Sequence, residues 1–189
     1  IRLLRGGQLD DGLAAAERAL ALDPNLAEAH AVKARVLSER GLHEEAAEQI
    51  EAALRLDPES FEVNQAAAYL RFRAKRLPEA VKHFEKATAL AETVLGSPNM
   101  LITCYTALGD REAARRAAQV ALTRAEKALA QDPSNAVAME CCATSHAALG
   151  QVESAKGWMN RALLIDPDNF NSRYNFACAL ASDLNDPQG

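Results

Sequence analysis

The stretch AEAHAVKARVLSERGLHEEAAEQIEAALRLDPES, residues 27–60, decides the fold. Its small and aliphatic residues return at helical spacing in two blocks, so it reads as two amphipathic helices joined by a tight turn. The first helix is expected from about Ala27 to Arg40. It closes at Gly41, where a residue without Cβ takes the left-handed conformation that ends a helix. The second is expected from about Glu44 to Leu56, where it meets Asp57-Pro58. Proline disfavours helix in the residue before it and suits the first turn of the helix after it. Ala34, Ala46 and Ala53 fall where the two backbones must approach, and Leu37, Leu42, Ile50, Leu54 and Leu56 are expected to fill the gaps between them.

The same pattern recurs along the chain. Gly12, Ala46, Ala80, Ala114 and Ala155 are separated by 34, 34, 34 and 41 residues. Ala19, Ala53, Ala87, Ala121 and Ala162 keep those intervals, as do Gly7, Gly41, Lys75, Gly109 and Gly150. A fixed period of this length is the signature of stacked helical hairpins, in which each unit touches only its neighbours. Composition agrees. Apolar residues make up 49% of the 189 residues but aromatics only 5%, and Ala alone is about a fifth, which is strong helix chemistry.

With small residues at the eighth, twentieth and twenty-seventh places, Gly at the fifteenth and Pro at the thirty-second, the unit resembles the tetratricopeptide repeat. The resemblance implies an all-α, right-handed superhelical solenoid of antiparallel helix pairs. It divides the chain into a partial repeat over 1–26, repeats over 27–60, 61–94, 95–135 and 136–169, and a half repeat over 170–184. Gly6-Gly7 then marks the hairpin turn of the first, partial unit. The family's Trp at the fourth place is absent: His30, Asn64, Pro98, Met139 and Arg173 stand there, and the single tryptophan, Trp158, lies in a second helix, where packing explains it. The third repeat has Lys75 for Gly and Glu92 for Pro, so its second helix is expected to run on to about Leu95 before Gly96-Ser97-Pro98 breaks it and shortens the next. The fourth repeat is seven residues too long. Ala121-Leu122 recurs as Ala128-Leu129, predicting a helix over about Arg111 to Gln131 that is longer by two turns, roughly 10 Å. It reads either as a tolerated insertion or as a ledge for a neighbouring domain or second copy.

The chemistry of catalysis is missing from these letters. The four histidines fall in different units, and His43-Glu44-Glu45 lacks the second His of a zincin motif. There is no phosphate-binding glycine loop and no nucleophile elbow, so neither an active site, a metal nor a cofactor is expected. A net charge of −5 and a pI near 5.4 argue against a nucleic-acid partner. No apolar run reaches the 18 residues of a membrane span. Cys104, Cys141, Cys142 and Cys178 show no CxxC spacing and read as reduced, buried thiols of a cytoplasmic protein.

What remains is a surface. In the resembled family the first helix of each unit lines a concave groove. Its groove-facing places yield Arg35 in the second repeat, Tyr69, Phe72 and Arg73 in the third, Asn99 and Thr103 in the fourth and Asn175 in the last. These are expected to form a strip that holds an extended peptide or a partner domain. The lysine and asparagine clamp of chaperone-tail binders is not reproduced, because Ala31, Ala66, Gly96 and Met100 occupy four of its places.

The chain begins at Ile1, without Met and partway through a repeat, and so reads as a piece of a longer polypeptide. Phe170, Tyr174, Phe176 and Leu180 would leave an apolar, uncapped end prone to self-association. The stretch ALLIDPDNFNSRYNFACALA, residues 162–181, is similar to the repeats that follow the catalytic domain in bacterial class III adenylate/guanylate cyclase-like proteins. So are Tyr69–Arg73 and Met100–Tyr105. That resemblance implies a regulatory or docking tail whose catalytic domain lies upstream. The alternative is a free-standing adaptor.

Overall fold

Glycine or lysine in a left-handed turn closes one helix of every complete hairpin. In the computed structural model, which describes residues 2–165, Pro167 and Phe176, the described residues form α-helices and connecting turns. In order these are α1 (Arg2–Leu22), α2 (Ala27–Glu39), α3 (His43–Leu56), α4 (Phe61–Arg73), α5 (Leu77–Leu90), α6 (Gly96–Leu108), α7 (Arg111–Gln131), α8 (Ala136–Ala148) and α9 (Val152–Ile165). The chain divides into two compact units, residues 1–91 and 92–189. In the first, α2 packs on α3 and α4 on α5 as hairpins, α1 lies against α2, and α2 and α4 sit side by side. In the second, α6 packs on α7 and α8 on α9, with α7 also against α8. The fold is an all-α helical repeat.

Gly41, Lys75, Gly109 and Gly150 have φ of 82°, 59°, 76° and 75°. At each, the residue donates to the carbonyl three back, and the next residue reaches the carbonyl five back. The pairs are Gly41 to Ser38 with Leu42 to Leu37, Lys75 to Phe72 with Arg76 to Arg71, Gly109 to Thr106 with Asp110 to Tyr105, and Gly150 to Ala147 with Gln151 to His146. The orphan carbonyls of the helix end are satisfied, and the chain is turned into the next helix two residues later. Lys75 takes the same turn although its Cβ disfavours it. Between hairpins the chain turns at Asp23-Pro24, Asp57-Pro58 and Asp132-Pro133. There the aspartate accepts from the backbone N–H two residues on, at 2.9 Å in each case.

The small residues of the period are where the helices meet. Ala34, Ala53, Ala80, Ala87, Ala121, Ala143 and Ala155 are fully buried, and Ala46, Ala114 and Ala162 nearly so. Leu37 and Ile50 are buried beside them and Leu54 packs against the cluster, but Leu42 and Leu56 stay largely exposed. They are the residue before α3 and its last residue, at ends where no neighbouring helix covers them.

Two sequence expectations are corrected. Helix α1 runs unbroken through Gly6-Gly7 instead of turning there. The i→i−4 hydrogen bonds of a single helix run through the pair, which glycine weakens without forbidding. Helix α5 stops at Leu90 with an extended Ala91, and Gly96-Ser97-Pro98 form the first turn of a full-length α6 rather than a break. The reason is that a first-turn N–H has no intrahelical acceptor, so proline loses nothing there. The long helix is as expected: α7 spans Arg111–Gln131, and its added turns keep Ala125 fully buried on the same face as Ala118 and Ala121.

These geometries predict opposite outcomes for similar exchanges. Lys75→Gly relieves a strained backbone and is expected to stabilise the chain by about 0.5–1 kcal/mol. Gly12→Ala is expected to do the same, because the new Cβ would lie 3.5 Å from Val36 Cγ2, ordinary contact, inside α1. Gly41→Ala should cost about 1 kcal/mol. Thermal denaturation of the three variants checks the signs.

Candidate interaction surface

Helix α2 carries Val32, Arg35, Val36 and Glu39 at spacings of three and four, and so on neighbouring places of one helix. Together with Leu9 of α1 they line a cleft of about 240 Å³. From α4, Arg73 reaches across one repeat to form an ion pair with Glu39. One turn earlier, Tyr69 sets its ring edge-on to Phe84, with centroids 5.2 Å apart and planes at 87°. Burial pushes the Tyr69 phenol above its ordinary pKa, and the positive charge of Arg35 opposes that shift. Arg35 therefore lies near Tyr69. Its side chain is exposed, and among the described residues no carboxylate pairs with it. Of the expected strip, Arg35 lies near Tyr69 and Arg73 is paired with Glu39, and Phe72 is half-buried on the same helix as Tyr69 and Arg73.

In the second unit, Asn99 of α6 accepts a hydrogen bond from Thr144 of α8, so its amide oxygen is already engaged. Thr103 stands exposed one turn further along α6. Asn175 lies outside the described residues, as do Phe170, Tyr174 and Leu180. Phe176 is described, and it is buried against Met139, Ala143 and Met159.

One recurring feature was not read from the sequence. The fourth place of a repeat meets the place nineteen residues later. In the second repeat the Gln49 amide lies 2.7 Å from His30 Nδ1, and His30 Nε2 is 3.0 Å from the Pro24 carbonyl. In the third the polarity is exchanged: His83 Nδ1 donates to Asn64 Oδ1 at 3.1 Å, and the Asn64 amide donates to the Pro58 and Ser60 carbonyls. In the fifth the pair is apolar, Met139 with Trp158 in one cluster. Recurrence of the interval, 30/49, 64/83 and 139/158, was the available signal, hidden because the chemistry changes at each recurrence.

Among the described residues the cysteines are not activated as nucleophiles. Cys104, Cys141 and Cys142 are free and buried. Burial raises their thiols to about 11, about 12 and about 11, so they stay protonated at neutral pH. Among the described residues, no three His, Cys, Asp or Glu side chains gather as a metal site, and no helix is long and apolar enough to cross a membrane.

The tetratricopeptide repeat family matches residues 1–60 and again residues 32–93. The first unit is therefore an array of these repeats, and the second shares its helical-hairpin construction. Among solved structures, the chain is similar to TTC0263, a thermophilic tetratricopeptide-repeat protein of Thermus thermophilus. The identity is 22% and the TM-score 0.65, over 95% of this chain and 94% of that one. It is also similar to YrrB, described as a tetratricopeptide-repeat protein with an unusual peptide-binding site, at 21% identity and a TM-score of 0.57, over 92% and 86% of the two chains. The Cut9–Hcn1 hetero-tetramer structure matches at 16% identity and a TM-score of 0.68, over 94% of this chain and 34% of that one. No curated protein matches.

The buried pair in the third repeat gives a pH prediction. Burial, then the charges of Arg71 and Lys82, hold His83 below its ordinary pKa of 6.5, against the opposing carboxylates of Glu51 and Glu79. The unfolded chain then takes up the proton first as pH falls. Stability is full above about 6.5 and declines as pH drops through that value towards the folded pKa. His83→Gln, which can still bond Asn64, is expected to reduce this acid loss while leaving the melting temperature near pH 7.5 almost unchanged. Melting curves between about pH 7.5 and pH 5.5 read both effects.

Proposed function

We propose that the chain is a non-catalytic scaffold that binds a peptide or partner protein. In this reading Arg35, Tyr69, Phe72 and Arg73 make the contacts in the first unit; the remaining candidates, Asn99, Thr103 and Asn175, belong to the second unit. The observation that carries it is the state of Arg35. An exposed guanidinium without a carboxylate partner stands beside a half-buried tyrosine, next to a cleft whose lining includes Leu9, Val32 and Val36. Such a set anchors an apolar side chain while donating to a carboxylate or a backbone carbonyl. Arg73 contributes differently. Its pairing with Glu39 fixes the guanidinium in place, so it acts as a positioned rather than a free donor. That a similar solved structure is described as having a peptide-binding site supports the class of ligand. Protonated, unpaired thiols suit a reducing compartment and support a cytoplasmic setting.

The cyclase-linked alternative rests on the wording of the sequence alone. Its longest stretch, residues 162–181, lies mostly outside the described residues, and nothing among the matched proteins favours it.

The test is selection of peptides on the purified chain from a random display library, followed by affinity measurement of the selected sequences. Arg35→Ala combined with Arg73→Ala is expected to weaken the winning peptide by about tenfold or more. Unchanged affinity in a variant with an unaltered melting temperature would remove the strip from consideration.

A further inference from the structure

A second cleft, away from Arg35, has a lining of one charge. Ser38 of α2, His43, Ala46 and Ala47 of α3, Leu70, Arg71 and Arg73 of α4, and Ala74 and Arg76 of the following turn enclose about 360 Å³. That volume falls within the range of pockets that bury small ligands or side chains. Three arginines and a histidine line it, and no acidic residue does.

The arginines have carboxylate neighbours, but these do not use up their donors. Arg71 pairs with Glu51 and lies 3.4 Å from Glu79 through Nε, Arg76 Nε meets Glu79 at 2.6 Å, and Arg73 pairs with Glu39. The three glutamates are 44% to 50% exposed and lie outside the cleft lining, so their hold is screened by water. A guanidinium has five N–H donors. Arg76 engages through Nε, and among the described residues its terminal nitrogens meet no protein acceptor. Arg71 Nε is buried beside Glu79 and is committed to that carboxylate. The glutamates therefore hold the guanidinium groups in position while donors remain open.

We propose that this cleft binds an acidic segment of a partner protein, with an apolar side chain set between carboxylates. The arginine forks match carboxylates in geometry and charge. Buried Ala46 and Leu70, with the half-buried Ala47, provide an apolar floor that a bare anion would not need. The site is distinct from the Arg35 cleft and shares with that strip only Arg73.

The probe is a fluorescein-labelled peptide of repeated Glu-Asp-Leu triplets, with a Lys-Arg-Leu counterpart, titrated with the full chain by fluorescence anisotropy. The acidic peptide is expected to bind at least about tenfold tighter than the basic one, and to weaken as salt rises from about 50 to about 300 mM. The double variant Arg76→Ser with His43→Glu should weaken the acidic peptide by about tenfold or more. Both positions are exposed, and serine at 76 supplies a cap for α5, so melting curves are expected to show the fold intact. Arg35→Ala should leave this affinity unchanged. Equal binding of the two peptides, or wild-type affinity in the double variant, overturns the proposal. So does loss in Arg35→Ala alone, which would move the peptide to the groove, and so does displacement by inorganic phosphate at about 10 mM, which would make the cleft a free-anion site. Failure here leaves the groove reading standing, because Arg35 belongs to the groove strip alone and Arg35→Ala by itself separates the two sites.

Discussion

Everything else in this molecule depends on how closely two helices of a hairpin approach. With Ala34 on one helix and Ala46 and Ala53 on the other, all essentially free of solvent, the backbones come near enough for larger neighbours such as Ile50 and Leu37 to interlock around them. Each alanine contributes little area by itself. Its value is the absence of atoms that would hold the helices apart, because a well-packed interior accepts neither voids nor surplus methylenes without cost. With few aromatics and about a fifth alanine, the chain buries its surface through many such shallow contacts and not through one large core.

That construction fixes what the surface can be. Helices held at constant offset present the same places over and over, so residues one repeat apart become neighbours. Glu39 and Arg73 are separated by 34 residues and form an ion pair, and Asp10 and Arg40, 30 apart, do likewise. These links are individually weak, since they lie at the surface. Their importance is positional: they decide which guanidinium groups are committed to glutamates and which, like Arg35, pair with no carboxylate among the described residues. The same repetition places His30 and Asn64 against the facing helix of their own hairpins, where they tie the Asp-Pro turns to the packed body.

Much of this was legible in the letters. The boundaries of α2 and α3, the left-handed glycines and the long α7 follow from spacing, because each is a local property of a few residues. The reading failed where context outweighs local signal. Gly6-Gly7 stays inside one helix, and Gly96-Ser97-Pro98 open α6 instead of breaking a helix, because glycine and proline permit more than one local outcome. The candidate strip was half legible. Its members could be named from their places, but that Arg73 is paired, Asn99 engaged and Arg35 free depends on side chains from other helices.

The sequence by itself determined the repeat, its period and the hairpin, since small residues, turn formers and apolar positions recur at fixed intervals and each acts over a few residues. Only the tertiary structure decided which charges meet. Ion pairs and clefts form between residues 20 to 34 apart, as in Arg71 with Glu51 and Arg73 with Glu39, and their partners are chosen by how helices pack, a relation no local pattern of letters records.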